Sequence, residues 1–288
     1  MSRAARAPLR IDLAGGWTDV PAFADADGGA VVNATIDKFV RAELRDDGTI
    51  AYAHDVRAAG LGSSACEHVL AAALRDPDAD LDEVAEAAFA LETAEGVPGG
   101  RQDQYAACYG GLSFMRFARP TAAAGPVRIE RLTLPDAMLK ALQQRLVLCD
   151  SGVARLSGDI HRAVWDAYAR HDDNVTGALL ALKQYAQAMR DALVASDLGG
   201  VRDVLNENWT QQKRLHASVT NDAVDAIFAL AMANGATAGK ACGAGGGGAL
   251  LLFTSGADAT QRLRSAFAAQ GIAVIDFALT SEGLEDEG

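Results

Sequence analysis

Cysteine is scarce and scattered in this sequence. The four cysteines, Cys66, Cys108, Cys149 and Cys242, lie far apart and never form a Cys-x-x-Cys pair. This spacing argues against a zinc site or a disulfide framework, so we expect buried, reduced thiols. Cys66 follows closely on a predicted helix N-terminus, where the helix dipole can lower the pKa of a thiol.

Long apolar runs and an excess of positive charge are also lacking. No apolar run is long enough to span a bilayer, and no apolar segment of signal-peptide length follows the arginines at the start, so we expect a cytoplasmic protein. The 26 Lys and Arg residues against 38 Asp and Glu give a formal net charge of −12. This charge argues against a general nucleic-acid or anionic-membrane surface, although a local basic pocket could still bind phosphate.

The apolar patterning predicts an α+β chain with a boundary near residue 145. Half of the 288 residues are hydrophobic, enough for a substantial core. The predicted strands are 9–14, 30–35, 39–44, 112–117, 128–134, 146–149, 249–253 and 272–279, and the predicted helices are 64–74, 81–94, 160–195, 201–216, 222–233 and 259–269. We expect domains at 1–145 and 146–288, a ligand between them, and a frayed acidic tail over 282–288.

A Gly-Leu-Gly-Ser-Ser-Ala segment at 60–65 immediately precedes an apolar, alanine-rich helical run. Glycines let a backbone approach an anion, and the first turn of a helix offers unpaired N–H groups and a positive dipole end. The segment therefore predicts a phosphate-binding loop. The alternative is an ordinary glycine turn followed by a serine N-cap.

Two further glycine clusters stand where a loop meets a regular element. One lies in the segment 7–19, where a short strand pattern runs into two glycines. The other lies in the segment 239–248, where four consecutive glycines directly precede an apolar strand. Ordering four consecutive glycines on folding costs much backbone entropy. We therefore expect these positions to need glycine because a ligand or another backbone segment approaches closely. A purely structural turn is the alternative.

Polar residues near these loops suit phosphoryl transfer, which needs phosphate-directed amides, a magnesium ion, a cation and an Asp aimed at the acceptor hydroxyl. Ser63 or Ser64 with Glu92 could hold magnesium, Asp103 could accept or polarise the hydroxyl proton, and Arg10 could pair with Asp103. The alternatives are a solvated helix edge for Glu92 and a helix N-cap for Asp103. The chain contains neither a Gly-Lys-Ser/Thr loop ending nor a His-Arg-Asp loop, which excludes the P-loop and protein-kinase classes.

Together, the segments 7–19, 60–65, 99–107 and 241–248 resemble the ordered motifs of the GHMP kinases, most closely their sugar-kinase branch of heptose-7-phosphate kinases and fucokinases. The resemblance covers nearly the whole chain. It implies a two-domain GHMP-kinase-like fold, with an N-terminal mixed sheet and helices and a C-terminal ferredoxin-like α/β domain. It also implies an ATP-dependent kinase for a sugar or sugar phosphate, acting by direct in-line transfer with Mg²⁺.

The same resemblance implies roles for individual residues. Asp103 is then the base or acceptor-orienting residue with Arg10 beside it, and Ser64 and Glu92 match metal-binding positions. The implied nucleotide-binding residues are Gly60, Leu61, Gly62, Ser63, Ser64, Ala65, Gly243, Gly245 and Gly246, and the implied acceptor-binding residues are Asp19, Trp17, Gly16, Gly245 and Arg155. Trp17 could stack on an apolar sugar face or equally form part of the core, and Arg155 and Lys213 could equally lie on solvated helix faces.

One departure from the resemblance is large. About forty residues separate the first motif from the second, about half as many as the sugar-kinase branch usually has. In that family the missing segment contributes strands and a loop around the adenine, so we expect a poorly enclosed base. The short segment makes a non-catalytic sugar or nucleotide sensor one alternative function, and a cyclitol kinase is another because the acceptor is open. The sequence also leaves the oligomeric state open.

Overall fold

A computed structural model of the chain describes residues 3–96, 99–121, 123–153 and 157–287. The strands are β1 (Arg3–Ala14), β2 (Gly29–Leu44), β3 (Ile50–His54), β4 (Leu112–Phe117), β5 (Val127–Arg131), β6 (Leu146–Asp150), β7 (Ala236–Ala241), β8 (Ala249–Thr254), β9 (Ala273–Ile275) and β10 (Glu285–Asp286). The helices are α1 (Pro21–Asp27), α2 (Ser63–Arg75), α3 (Leu81–Ala94), α4 (Gln102–Tyr109), α5 (Asp136–Gln143), α6 (Ser157–Ala169), α7 (Asp173–Val194), α8 (Leu198–Leu215), α9 (Asp222–Ala233) and α10 (Ala257–Ala269).

The first sheet is antiparallel and places the first motif at its centre. Its order is β10-β1-β2-β4-β5, with β3 paired to the far end of β2. β1 is buried along nearly its whole length because α2 and α4 pack against it, as do α7 and α8. Burial without a solvent face explains why its apolar residues run on rather than alternate with polar ones.

The second sheet has the order β7-β8-β6-β9 and is also antiparallel. In chain order its elements are β6, four helices, β7, β8, α10 and β9. Across the sheet the strands lie in the order β9, β6, β8 and β7, which are the fourth, first, third and second of the domain. This is the split β-α-β arrangement of ferredoxin-like domains. The predicted α+β class and the ferredoxin-like second sheet are therefore confirmed.

The described part of the acidic tail contains a short strand, β10, so the prediction of fraying was wrong for it. β10 pairs with β1 through Ala5 and Arg6. The Arg6 guanidinium also forms ion pairs with Glu282 at 3.1 Å and Glu285 at 2.6 Å. A charged segment stays ordered here because a cation and a free strand edge are supplied by residues about 280 positions earlier.

Several predicted boundaries also change. The helical tract at 160–195 is two helices, α6 and α7, because the chain turns between them at His171, which has a φ of +59°. The predicted strands 30–35 and 39–44 are one strand, β2, and the last predicted strand is shortened to Ala273–Ile275. Helices α1 and α5 and strand β7 were not predicted from the sequence; β7 consists of small residues and a lysine.

Candidate active site

A cavity of about 410 Å³ opens where the three glycine motifs meet. It is bounded by the turn after β1, the start of α2, the end of α3, the start of α4, the glycine loop after β7 and one side chain of α6. Its lining includes Arg10, Asp12, Gly16, Trp17, Asp19, Gly60, Gly62, Ser63, Ser64, Ala65, Glu92, Gly99, Gly100, Gln102, Asp103, His161 and Gly243. Most of the candidate residues from the sequence therefore come together in one place.

The start of α2 faces this cavity without a side-chain cap. Its N-cap is Gly62, in the left-handed conformation at φ +81°, and no acidic residue occupies the first turn. The alternative interpretation of a serine N-cap is wrong, because Ser63 and Ser64 already lie inside the helix. An uncapped helix start that lines a cavity offers amide donors and a positive dipole end to an anion.

Arg10 and Asp103 form a bidentate pair at the centre of the cavity. Arg10 Nε donates to Asp103 Oδ1 at 2.8 Å and Nη2 donates to Oδ2 at 2.7 Å, while Nη1 donates to the Gly60 carbonyl at 2.6 Å. Burial alone would lower the pKa of Arg10, but the charges of Asp103 and Asp12 outweigh it and raise this pKa. The N-cap of α4 is Arg101, so Asp103 is not the helix N-cap that was its alternative. Instead, the partly exposed Asp103 carboxylate is held by the permanently charged Arg10.

The first turn of α4 presents three consecutive residues to three parts of the site. Gln102 donates to Asp19 from its backbone N–H at 3.0 Å and from its side-chain amide at 3.5 Å, Asp103 contacts Arg10, and Gln104 donates to Glu92. Because successive helical residues point about 100° apart, one short turn reaches three neighbours. Gln102 and Gln104 were not predicted as site residues; their positions on either side of Asp103 were the available signal.

Asp19 and Glu92 are carboxyl groups with raised pKa values. Burial raises the pKa of Asp19 to about 7, and the nearby charge of Asp103 adds to this, while the Gln102 N–H opposes it. Burial, followed by the charge of Asp103, raises the pKa of Glu92 to about 6. Glu92 lines the cavity and is not the solvated helix edge that was its alternative. Two carboxyls that titrate near neutrality beside an ion pair are typical of a functional site.

A second, fully buried ion pair lies beneath the site. Lys240 of β7 donates from Nζ to Asp12 Oδ2 at 2.7 Å and to the Asp12 carbonyl at 2.9 Å. Lys240 has no exposed surface and Asp12 is 2% exposed. A Cβ at Gly16 would lie 2.2 Å from Asp12 Oδ2, so the turn after β1 packs on this carboxylate only as glycine. This pair, which joins the two sheets, was also missed from sequence.

The glycine-rich loop after β7 packs chiefly against other backbone segments. A Cβ at Gly248 would lie 2.4 Å from the Ala59 carbonyl, and one at Gly245 would lie 2.5 Å from the Val219 carbonyl. The Gly246 N–H donates to Val219 O at 2.7 Å. Gly243 lines the cavity, whereas Gly245, Gly246 and Leu61 do not belong to its lining. Close backbone approach, one of the two expected reasons for these glycines, is therefore confirmed.

Trp17 forms a wall of the cavity and is also nearly buried. It is 5% exposed, stacks on His161 with ring centroids 4.4 Å apart, and adopts a φ of +83°, which is uncommon for a residue with a side chain. Asn208 of α8 holds this turn by accepting from the Gly15 N–H at 2.9 Å. Strained backbone that is held by a buried side chain is characteristic of functional sites.

A phosphorylated acceptor would need several cations, and the sequence offers Arg155, Arg162, Lys213 and Arg214. Those within the described residues do not line the cavity. Arg155 lies outside the described residues. Arg162 pairs with Asp159, Lys213 lies over the Trp209 ring and Arg214 donates to Asn174 and Gln211.

Cys66 differs from its expected chemistry. It is the fourth residue of α2 but is only 1% exposed, and its thiol donates to the Pro8 carbonyl at 3.3 Å. Burial raises the pKa of the Cys66 thiol, so the expected lowering by the helix dipole was wrong. The other three cysteines are buried as well, as predicted.

No helix among the described residues is long and apolar enough to cross a membrane.

Among the described residues, no cluster of three or more His, Cys, Asp or Glu side chains is arranged to hold a metal ion. A magnesium ion at Glu92 would therefore need ligands from a bound phosphate group, as is usual for magnesium in phosphoryl-transfer sites.

The chain is similar in sequence to two known proteins. A heptose kinase of Campylobacter jejuni, D-glycero-α-D-manno-heptose 7-phosphate kinase, is 29% identical to the chain over 96% of each sequence. This alignment is 336 positions long, so the relative contains segments that the 288-residue chain lacks. The bifunctional fucokinase/GDP-fucose pyrophosphorylase of Arabidopsis thaliana is 28% identical over 74% of the chain, which spans only 20% of that protein.

The fold agrees with these relatives. A D-glycero-D-manno-heptose 1-phosphate kinase from Bacteroides thetaiotaomicron superposes with a TM-score of 0.75 at 22% identity, covering 100% of this chain and 99% of that one. The sequence model for the GHMP kinase N-terminal domain matches residues 31–111, and that for the GHMP kinase C-terminal domain matches residues 189–273. The chain therefore belongs to the GHMP kinase family.

Proposed function

We propose that this chain is an ATP-dependent kinase that transfers the γ-phosphoryl group to a hydroxyl of a sugar or sugar phosphate. The observation that carries the proposal is the bidentate Arg10–Asp103 pair, which lies in the same cavity as the uncapped start of α2. One part suits a hydroxyl acceptor and the other suits a polyphosphate. We also propose the division into domains at 1–145 and 146–288, with the site between them.

The acceptor side of the reaction depends on Asp103. Its carboxylate accepts or orients the proton of the acceptor hydroxyl, so that the oxygen attacks the γ-phosphorus while the bond to the β-phosphate oxygen breaks and ADP leaves. Arg10 donates to both carboxylate oxygens and so fixes the orientation of the group. The buried Asp19, with the wall formed by Trp17, binds the remainder of the acceptor.

The donor side depends on the first turn of α2. Amides at Ser63, Ser64 and Ala65 would bind phosphate oxygens, because no side chain caps them. Ser64 and Glu92 both line the cavity and fit a magnesium ion that also binds the phosphates. When bound, magnesium neutralises developing charge on the transferred group.

A coupled assay for ADP release tests the proposal. The panel contains hexoses, heptoses, heptose 7-phosphate and cyclitols, each with ATP and Mg²⁺, and Asp103→Asn is the matched control. ADP release that requires one acceptor class and is lost in the variant supports a kinase, and a cyclitol as the best acceptor would replace the sugar. Tight ligand binding without ADP release for any acceptor would favour the second candidate, a non-catalytic sensor, for which the shortened segment before Gly60 is the favouring observation.

A further inference from the structure

The carboxylate of Glu92 lies in a place that is electrostatically unfavourable for an anion. Glu92 belongs to the last turn of α3, where the helix dipole is negative, and no basic residue occupies that turn. Asp103 and Glu95 add negative charge nearby. His68 pairs through Nε2 with Glu95 Oε1 at 3.1 Å rather than with Glu92. A cation that enters the cavity would offset this cost, because Glu92 lines the cavity.

Gln104 of α4 is the group that holds this carboxylate. Its Nε2 donates to Glu92 Oε2, and in the described part of the chain no other side chain donates a hydrogen bond to Glu92. An ionised carboxylate only accepts, so the nitrogen of the amide must face it. Gln104 is fully buried, and close packing therefore restricts its side chain to this orientation. Gly99 approaches the same carboxyl, since a Cβ there would lie 3.3 Å from Glu92 Cδ.

Gln104 does not itself belong to the lining of the cavity, whereas Glu92 and Asp103 do. An effect of Gln104 on a bound ion must therefore pass through the Glu92 carboxylate. Gln104 also follows Asp103 directly on the first turn of α4. One buried turn thus carries the group that faces the acceptor and the group that holds Glu92.

We propose that Gln104 is a positioning residue for Glu92, which sets the affinity of the nucleotide site for magnesium by orienting this carboxylate in the cavity. The inference rests on the proposed function for the identity of the ion and of the nucleotide. Hydrogen-bond partners of metal ligands orient those ligands, and their loss typically costs about 10- to 100-fold in metal affinity. Gln104 fits this role because its amide engages one carboxylate oxygen, Oε2, and leaves Oε1 to other partners.

The test measures how much Mg²⁺ the chain needs in order to bind ADP, without any acceptor, so that no turnover is required. Titration calorimetry with ADP at a series of Mg²⁺ concentrations gives the half-saturating Mg²⁺ concentration for wild type and for Gln104→Met. Methionine has a similar length and no N–H donor. We expect the variant to raise the half-saturating Mg²⁺ concentration by about tenfold. The affinity for ADP in the presence of a chelator should change by less than about twofold, because the amides of α2 are unaltered.

A thermodynamic cycle shows whether Gln104 acts through Glu92. In the Glu92→Gln background, Gln104→Met should change the half-saturating Mg²⁺ concentration by less than about twofold, since the carboxylate that it positions is already lost. Gln104→Asn is a second variant, which retains an amide but is one methylene too short to reach Glu92. We expect it to act in the same direction as Gln104→Met, and it carries the test if the methionine variant does not fold.

Tyr105→Phe is the matched control. Tyr105 is the next residue of α4, is 2% exposed, and donates from its hydroxyl to Glu86 Oε1 of α3 at 3.2 Å. The control therefore also removes a hydrogen bond between α4 and a glutamate of α3, but one that does not involve Glu92. We expect it to lower the melting temperature and to leave the half-saturating Mg²⁺ concentration unchanged.

Each outcome bears on the proposal. A half-saturating Mg²⁺ concentration that neither Gln104 variant changes would overturn it, even if ADP release with an acceptor is robust. An equal rise in the Glu92→Gln background, or the same rise in Tyr105→Phe, would also overturn it. The expected cycle in a chain that transfers no phosphoryl group to any acceptor would support the role of Gln104 while the kinase proposal fails. A wild-type chain that binds no ADP at any Mg²⁺ concentration would overturn both.

Discussion

Asp19 makes the stability of this protein depend on pH in an unusual direction. Burial raises its pKa from an ordinary value of 3.8 to about 7. Between these values the unfolded chain has lost the proton and the folded chain retains it. Unfolding then releases a proton, so the free energy of unfolding falls as pH rises through this range and is flat above it.

The size of the effect follows from the same values. A tenfold change in a dissociation constant corresponds to 1.36 kcal/mol, so the full difference is about 4 kcal/mol. About 2 kcal/mol of it falls between pH 5.5 and 7. An ordinary surface carboxylate that gains an ion pair acts in the opposite direction, because its stabilisation is lost as pH falls.

The variant that isolates this contribution is Asp19→Asn, whose amide does not titrate. Urea unfolding of wild type and variant is followed at half-unit steps from pH 5.5 to 8.5, which avoids the acid range where the net charge of −12 approaches zero. We expect the wild-type advantage over the variant to shrink by about 2 kcal/mol up to pH 7 and then to stay constant. Because the charge of Asp103 contributes to the raised pKa, the Asp103→Asn background should shift this change to lower pH.

Two results would refute the reasoning. Parallel stability curves for wild type and Asp19→Asn would mean that Asp19 is ionised in the folded state over the whole range. A wild-type advantage that grows with pH would mean that Asp19 is stabilised as an anion, and the Gln102 N–H would then outweigh burial.

Four further predictions concern catalysis. Asp103→Asn should lower kcat by on the order of 10²-fold or more with little effect on ATP binding, as for a lost base; near-normal turnover would remove Asp103 from the mechanism. Glu92→Gln should raise the half-saturating Mg²⁺ concentration by roughly tenfold, because a neutral amide is a poorer ligand for a hard cation, and an unchanged requirement would contradict its role. The acceptor KM should fall as pH rises through about 7, since ionised Asp19 is the stronger hydrogen-bond acceptor, and this dependence should be absent in Asp19→Asn. Competition binding with ATP and GTP should show only modest discrimination, because we expect the short segment before Gly60 to enclose the base poorly; a strong preference for ATP would mean that other residues form an adenine pocket.

Features that depend on local chemistry were predictable from the sequence. The helix predicted at 81–94 is α3, with the same bounds, because Asp80 and Glu83 form a reciprocal capping box that fixes its start. The start of α2 was predicted within one residue, since the Gly-Ser-Ser segment leaves few other places for a helix to begin. Gly62 and the α2 start share the cavity with Arg10 and Asp103, as expected from the four motifs together.

The partners that complete the site were not predictable in the same way. Lys240 contacts Asp12 across 228 positions of sequence, and Gln102 contacts Asp19 across 83. No spacing rule connects such residues, because their meeting depends on how two sheets and several helices pack. Sequence patterning reports which face of an element is buried, and it does not report which distant polar group supplies the hydrogen bond.

The helix that carries Asp103 also illustrates why the site itself gave a weak secondary-structure signal. α4 is not among the helices predicted from periodicity, because Gln102, Gln104 and the four residues after it are all buried and no polar face alternates with an apolar one. A polar side chain can occupy such a position only when a distant segment supplies its partner, as Asp19, Arg10 and Glu92 do here. Hydrophobic periodicity therefore predicts a short, buried, polar helix poorly. The buried polar side chains that remove the periodicity are also the ones that hold the reacting groups in place.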